Sequence, residues 1–179
     1  MHFAVCDFLL DLIQNSVEAG ARTIEASVVE DEGWIEAEVV DDGKGMTALE
    51  MQRAQDPFHS DGTKHAKRKV GLGIPFLVQA VEQAGGTWSM ESKKGSGTGI
   101  SFRLPADGID TPPMGDLPGL FLSGMCFDGE YEFVAKHRVP ALGIDYELRR
   151  SGIIEAVGDL ASADALISVR QFLASYEAV

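Results

Sequence analysis

The first forty residues show two successive hydrophobic periods. Apolar residues first recur three and four positions apart, which predicts an amphipathic helix from about Cys6 to Ala19, stopped by Gly20. Apolar and polar residues then alternate with a period of two over Thr23 to Val29 and over Gly33 to Val40. This second pattern predicts two half-buried strands joined as a hairpin.

The pattern from residue 47 to residue 104 predicts two more helices and two more strands. A short helix from Thr47 to about Gln55 has Thr47 as its cap. Residues 56–70 carry no periodicity, and loops of this length are uncommon in compact domains unless they act as lids or binding segments. A packed helix is predicted over residues 74–84, and strands over residues 87–92 and 98–104.

Beyond residue 105 the pattern changes, which predicts a division of the chain. Residues 106–118 contain three prolines and two glycines and are predicted to be a linker that follows a first domain of residues 1–105. Residues 119–179 form a small C-terminal extension, with one alternating strand near residues 130–136 and a final amphipathic helix. The expected fold class is a two-layer α/β sandwich with a mixed, mostly antiparallel sheet and helices on one face.

Composition narrows the class of protein. The 179 residues are 45% hydrophobic and carry a net charge of −13, which argues against a nucleic-acid partner. No apolar run approaches the ~20 residues that cross a bilayer, and no leader pattern is present at the N-terminus, so a cytoplasmic location away from membranes is expected. The two cysteines, Cys6 and Cys126, lie far apart and are expected to be reduced, buried thiols.

One basic cluster interrupts this acidic chain. It spans residues 64–69 and holds five basic or titratable side chains, among them Lys64 and Lys69. Such a run is commonly a solvated loop, but its position before a glycine-rich turn also suits a polyanionic ligand.

Four short motifs carry candidate chemistry. In the first helix, Asp11, Asn15 and Ala19 are four residues apart and share one side. The other three motifs are turns with glycine at alternate positions, where the backbone bends sharply or approaches a ligand closely. They comprise Asp41, Gly43, Gly45 and Met46; Gly71, Leu72 and Gly73; and Gly97 with Thr98.

The order and spacing of these motifs resemble the nucleotide-binding boxes of the GHKL ATPase superfamily, which has the Bergerat fold. Residues 10–46 resemble the mismatch-repair type, through an Asn-Ser-x-x-Ala-Gly-Ala helix and an Asp-x-Gly-x-Gly turn. Residues 57–105 resemble a histidine kinase ATP-binding domain, through Gly-Leu-Gly-Ile before a helix and a final Gly-Thr-Gly-Ile strand.

The resemblance implies ATP and Mg²⁺ as cofactors. It assigns Asn15 to the metal, Asp41 to the adenine amino group and Thr98 to the same purine edge or to a water on it, with Met46 as apolar lining for the base. Gly43 and Gly45 belong to the turn that approaches the base. The turn at Gly71, Leu72 and Gly73 would present backbone N–H groups to the phosphates. Lys64 and Lys69 would add charge from a lid.

Asp11 stands where hydrolysing members of the family have a glutamate, and it is the candidate catalytic residue. Because aspartate is one methylene shorter, slow hydrolysis at most is expected. The preferred hypothesis is a nucleotide-dependent switch or regulatory subunit with a protein partner, and a homodimer is compatible with it. The alternatives are a stand-alone protein kinase acting in trans, similar to anti-sigma serine kinases, a weak ATPase, or a scaffold without nucleotide.

Overall fold

In the computed structural model, residues 4–56 and 73–178 are described, and they build one sheet covered by helices. The helices are α1 (Val5–Glu18), α2 (Ala48–Ala54), α3 (Gly73–Gln83), α4 (Leu117–Met125), α5 (Arg150–Val157) and α6 (Ala163–Glu177). The strands are β1 (Thr23–Asp31), β2 (Trp34–Asp41), β3 (Thr87–Lys93), β4 (Gly97–Pro105), β5 (Glu132–Val139) and β6 (Ile144–Arg149).

The six strands lie in the order β3-β4-β2-β1-β5-β6. All neighbours are antiparallel except β1 and β5, which are parallel. Alternate residues of the strands face the helices, and Ile24, Phe102 and Phe133 are at most 3% exposed there. The predicted two-layer sandwich with a mixed, mostly antiparallel sheet is confirmed.

The C-terminal segment continues the sheet of the first 105 residues. Strand β5 pairs with β1 from Thr23 opposite Glu132 to Val29 opposite Arg138. The preceding segment, predicted to be a linker, is bonded to the start of α1: the N–H groups of Val5 and Cys6 donate to the carbonyls of Pro113 and Met114, each at 2.9 Å. These bonds satisfy two of the backbone donors that the first turn of a helix leaves unpaired.

The sequence pattern did not predict α4, because its composition disfavours a helix. It contains Pro118, Gly119 and Gly124, which rank low in helix propensity. Tertiary contacts overcome this: the Asp116 carboxylate caps the first turn by accepting from the Gly119 N–H at 3.0 Å, and the apolar side chains of the helix are buried against α1 and α6.

A buried polar cluster attaches α6 to the sheet. His137 of β5 is 3% exposed, and its Nδ1 and Nε2 lie 2.9 Å from Glu177 Oε1 and 3.2 Å from Glu30 Oε1. The Tyr146 hydroxyl also donates to Glu177. The cluster therefore links β1, β5, β6 and the C-terminal turn of α6.

Replacing His137 with alanine is expected to lower the free energy of unfolding by about 2–3 kcal/mol, because two carboxylates lose a hydrogen-bond partner in a mostly buried position. Urea denaturation measures the effect. Arg138→Ala, on the exposed face of the same strand, is the matched control and should change stability by less than about 0.5 kcal/mol. Equal losses in both variants would contradict the assigned role of His137.

The two cysteines differ in environment. Cys6 is buried in α1, and burial, followed by the negative charge of Asp116, raises the pKa of its thiol to about 12, whereas an ordinary thiol titrates near 9.0. Cys126 is exposed.

Alkaline destabilisation follows from the raised pKa of Cys6. Between pH 9 and pH 12 the unfolded chain binds fewer protons than the folded one, so stability falls as pH rises, by up to about 1.4 kcal/mol per pH unit from this group. Urea denaturation from pH 8 to pH 11 should show a shallower decline for Cys6→Ala than for Cys126→Ala. The same slope in both variants would contradict this account.

Candidate functional site

The predicted polar side of helix α1 lies close to two of the glycine motifs. A side chain at Gly73 would lie 3.0 Å from Asp11 Oδ2, so Asp11 touches the first residue of α3. Two turns later, Ala19 lies against Gly43, where an added Cβ would come within 2.9 Å of the Ala19 methyl group. Asn15 lies between these contacts and is exposed. The predicted alignment of these three residues therefore places Asn15 between the first turn of α3 and the turn after β2.

Asp41 ends β2 and is held from two sides. It is 9% exposed. Its Oδ2 accepts a hydrogen bond from the Ser16 hydroxyl of α1 at 2.8 Å, and its Oδ1 accepts one from the Gly43 N–H at 2.8 Å. The carboxylate is thus fixed in orientation beneath α1. Neighbouring Asp42 is exposed and instead accepts from the N–H groups of Arg22 and Thr23, at 2.7 and 2.9 Å.

Two glycines, one in the turn after β2 and one at the start of β4, are required by the chain's own backbone. Gly45 has a φ of 57°, and a Cβ there would overlap the Lys93 carbonyl. Gly97 has a φ of 92°, and a Cβ there would overlap the Asp41 carbonyl. The turn after β2 therefore packs directly on the β3–β4 hairpin, which brings Thr98 beside Asp41 in the strand register.

Thr98 belongs to a second polar group on the same face of the sheet. The Ser92 and Thr98 hydroxyls are 2.8 Å apart. Ser92 Oγ also accepts from the Met46 N–H at 2.8 Å and donates to the Gly97 carbonyl at 2.9 Å. The structure thus brings Asp41, Thr98 and Met46 together at one end of the sheet.

Four predicted ligand residues, Lys64, Lys69, Gly71 and Leu72, lie outside the described residues. Their assignment to phosphate stays a prediction. So does the lid predicted over residues 56–70, of which only Asp56 is described.

Sequence reasoning missed Ser16 and Ser92. Ser16 lies four residues after Leu12 on the buried side of α1 and is 4% exposed. A hydroxyl on an apolar helix face needs a partner, and this signal was available in the sequence. Ser92 had no such signal, because a serine near the end of a polar strand needs no explanation.

A shallow concavity lies on the opposite face of the sheet, lined by Ser27, Glu36, Ser101 and Arg103 among others. Arg103 is paired there with Glu36 at 3.0 Å, and the side chains are polar and solvated. None of the predicted site residues lines it, so we place the site by the geometry around Asp41. Among the described helices, none is both long and apolar enough to span a bilayer.

Comparison with known proteins shows the family of the chain. Residues 4–108 match the family model of histidine kinase-, DNA gyrase B- and HSP90-like ATPases. Sensor histidine kinase ZraS of Klebsiella oxytoca is 40% identical over 106 residues, which are 56% of this chain and 21% of ZraS. Sporulation kinase B of Bacillus subtilis (strain 168) is 32% identical over 102 residues, covering 55% of this chain and 23% of the kinase.

Among solved structures, the nucleotide-free catalytic domain of histidine kinase ThkA aligns with 20% identity and a TM-score of 0.43, covering 55% of this chain and 64% of that one. The matched part of the chain spans less than a quarter of the length of each of these two curated kinases. The likeness of residues 10–46 to mismatch-repair ATPases stays a prediction. With more than half of its length matched, the chain belongs to the family of histidine kinase-, DNA gyrase B- and HSP90-like ATPases, and its first 108 residues are an ATP-binding domain of the histidine kinase type.

Proposed function

We propose that the protein binds ATP with Mg²⁺ and acts as a nucleotide-dependent switch or regulatory subunit, with slow or no hydrolysis. The observation that carries nucleotide binding is the fixed Asp41 carboxylate, which lies beside Thr98 and is bonded to Ser16 of α1. A buried carboxylate whose oxygens are already oriented by two donors is a selective acceptor for the amino group of adenine.

Mg²⁺ fits the chemistry of Asn15. Asn15 is exposed between Gly43 and Gly73, and its amide oxygen is a hard ligand of the kind that Mg²⁺ takes together with phosphate oxygens and waters. The cation would neutralise phosphate charge when bound. The protein's own contribution is to place Asn15 within reach of nucleotide phosphates.

Slow hydrolysis is supported by the position of Asp11. Its short carboxylate lies against Gly73, at the first turn of α3, where N–H groups and the helix dipole favour phosphate. A base in this position must reach an attacking water, and aspartate reaches about 1.5 Å less far than glutamate. We therefore assign Asp11 a weak role in water activation.

Calorimetric titration with ATP, with and without Mg²⁺, tests binding. A turnover assay with γ-labelled ATP and cell extract then separates the functions. Bound ATP with little free phosphate and no labelled protein supports the switch. Free phosphate that Asp11→Asn abolishes identifies a weak ATPase, and label on another protein identifies a kinase acting in trans.

Asp11→Glu tests directly whether the reach of the carboxylate limits hydrolysis. It should raise the release of free phosphate at least about tenfold if reach limits water activation, while leaving the dissociation constant for ATP within about threefold. Unchanged turnover in Asp11→Glu would show that another missing group limits hydrolysis.

The switch hypothesis also predicts that nucleotide changes the rate of proteolysis of the chain. Tryptic cleavage at the basic residues 64–69 should slow when ATP and Mg²⁺ are present. Cleavage at the same rate with and without nucleotide would argue against a switch in this segment while leaving ATP binding intact.

A further inference from the structure

Ser92, Thr98 and Asp41 stand side by side on one face of the sheet. The register pairs Ser92 of β3 with Thr98 of β4, and Thr98 with Asp41 of β2. Because directly opposed residues of antiparallel strands have Cβ atoms about 5 Å apart, the three side chains form a continuous polar row. The row extends from the edge strand β3 to the carboxylate of Asp41 on β2.

The hydrogen-bond partners of Ser92 favour one direction for each bond. A hydroxyl group has one proton and two lone pairs. The Met46 N–H can only donate to Ser92 Oγ, and the Gly97 carbonyl can only accept from it. In the arrangement in which the Ser92 proton lies on the Gly97 carbonyl, Thr98 donates its own proton across the 2.8 Å contact.

The consequence is a set of groups that can only accept further hydrogen bonds. Thr98 has given its proton to Ser92 and keeps its lone pairs. The Ser16 proton is taken by Asp41 Oδ2 at 2.8 Å, which is shorter than the alternative contact of 3.2 Å with the Leu12 carbonyl. The Gly43 N–H is taken by Asp41 Oδ1.

We propose that Ser92 is a specificity-determining positioning residue: by accepting the Thr98 proton it holds that hydroxyl as an acceptor beside Asp41, so the pair selects a 6-amino purine over a 6-oxo purine. The inference rests on the proposed binding of ATP at this site. The carbonyl oxygen of a 6-oxo purine is an acceptor and would face the acceptor oxygens of Thr98 and Asp41. These polar atoms would then be left unpaired.

The test compares the dissociation constants of ATP and inosine triphosphate, which carries a carbonyl at position 6, by calorimetry on the full chain. Wild-type protein should prefer ATP by at least about 50-fold, and Ser92→Ala should reduce this ratio about fivefold, the worth of one neutral hydrogen bond. The reduction is expected because a released Thr98 hydroxyl can turn and donate to the carbonyl.

Three variants separate this role from simple loss of structure. Ser89→Ala removes an equivalent hydroxyl pair, with Ser101 at 2.8 Å, from the opposite face of the same strands and should leave the ratio unchanged. Thr98→Val should weaken ATP more than inosine triphosphate, because an acceptor is lost. In the Thr98→Val background, Ser92→Ala should no longer alter the ratio.

Two results would overturn the proposal. One is an equal weakening of both nucleotides by Ser92→Ala, as expected of a purely structural residue. The other is a larger loss for inosine triphosphate than for ATP in Thr98→Val, since this would make Thr98 a donor. If wild-type protein binds neither nucleotide, the proposed function itself fails. If ATP binds and Ser92→Ala leaves the ratio of the two dissociation constants unaltered, only the proposed role of Ser92 fails.

Discussion

A chain truncated after Ala106 is expected to lose its cooperative unfolding transition and to become insoluble. The truncation removes β5, which covers one side of β1, and α4, which packs on α1. Phe121 and Phe133, both fully buried, are lost together with other core residues of the segment. Single deletions of buried aromatic side chains cost about 3–5 kcal/mol, so the combined loss exceeds the ~5–15 kcal/mol that stabilises a typical domain.

Thermal unfolding followed by circular dichroism measures this effect, with the full chain as reference. Addition of the separate fragment 107–179 during refolding should restore a cooperative transition, because its contacts with the sheet do not need a covalent link. A truncated chain that unfolds cooperatively and binds ATP would instead support the division after residue 105 that the sequence predicts.

Asp41→Asn is expected to weaken ATP binding about 100-fold without unfolding the domain. The asparagine oxygen would accept from the Gly43 N–H, so its amide group would face Ser16, which can rotate to accept. A donor would then meet the adenine amino group in place of a charged acceptor. Losing a charged hydrogen bond and gaining an opposed donor together cost about 3 kcal/mol, close to a factor of 100.

The neighbouring aspartate provides a matched control for calorimetry. Asp42→Asn makes the same chemical change one residue later, at a side chain that bonds only to the start of β1 in the described structure. It should change the dissociation constant of ATP less than about threefold. Similar losses in the two variants would mean that the carboxylate of Asp41 has no special contact with the base.

The local sequence pattern predicted most helices, strands and turns of residues 1–105. The period of α1 and the alternation of β1 and β2 are set within each segment by which residues are apolar, so they are readable without knowledge of the partner. The same holds for Thr47, whose hydroxyl caps α2 as predicted by accepting from the Glu50 N–H at 3.3 Å. The glycine motifs were readable too, since few other residues suit such turns.

The final helix shows where the local pattern reached its limit. Phe172 and Tyr176 are large apolar residues of this predicted amphipathic helix, yet they are 43% and 38% exposed. They pack on each other, and Tyr176 packs on Tyr146 at the edge strand β6. The hydrophobic period predicted the helix. The position of the helix at the margin of the sheet decided how much of its apolar side is buried.

The sequence alone determined the helix that carries Asp11 and Asn15, the hairpin that ends at Asp41 and the glycine turns beside them, because each depends on residues a few positions apart. Only the tertiary structure decided that β5 completes the sheet next to β1, and that the Ser16 and Ser92 hydroxyls bond to the side chains of Asp41 and Thr98. These contacts depend on strand order and register, which join residues that are distant in sequence, and no local hydrophobic period records them.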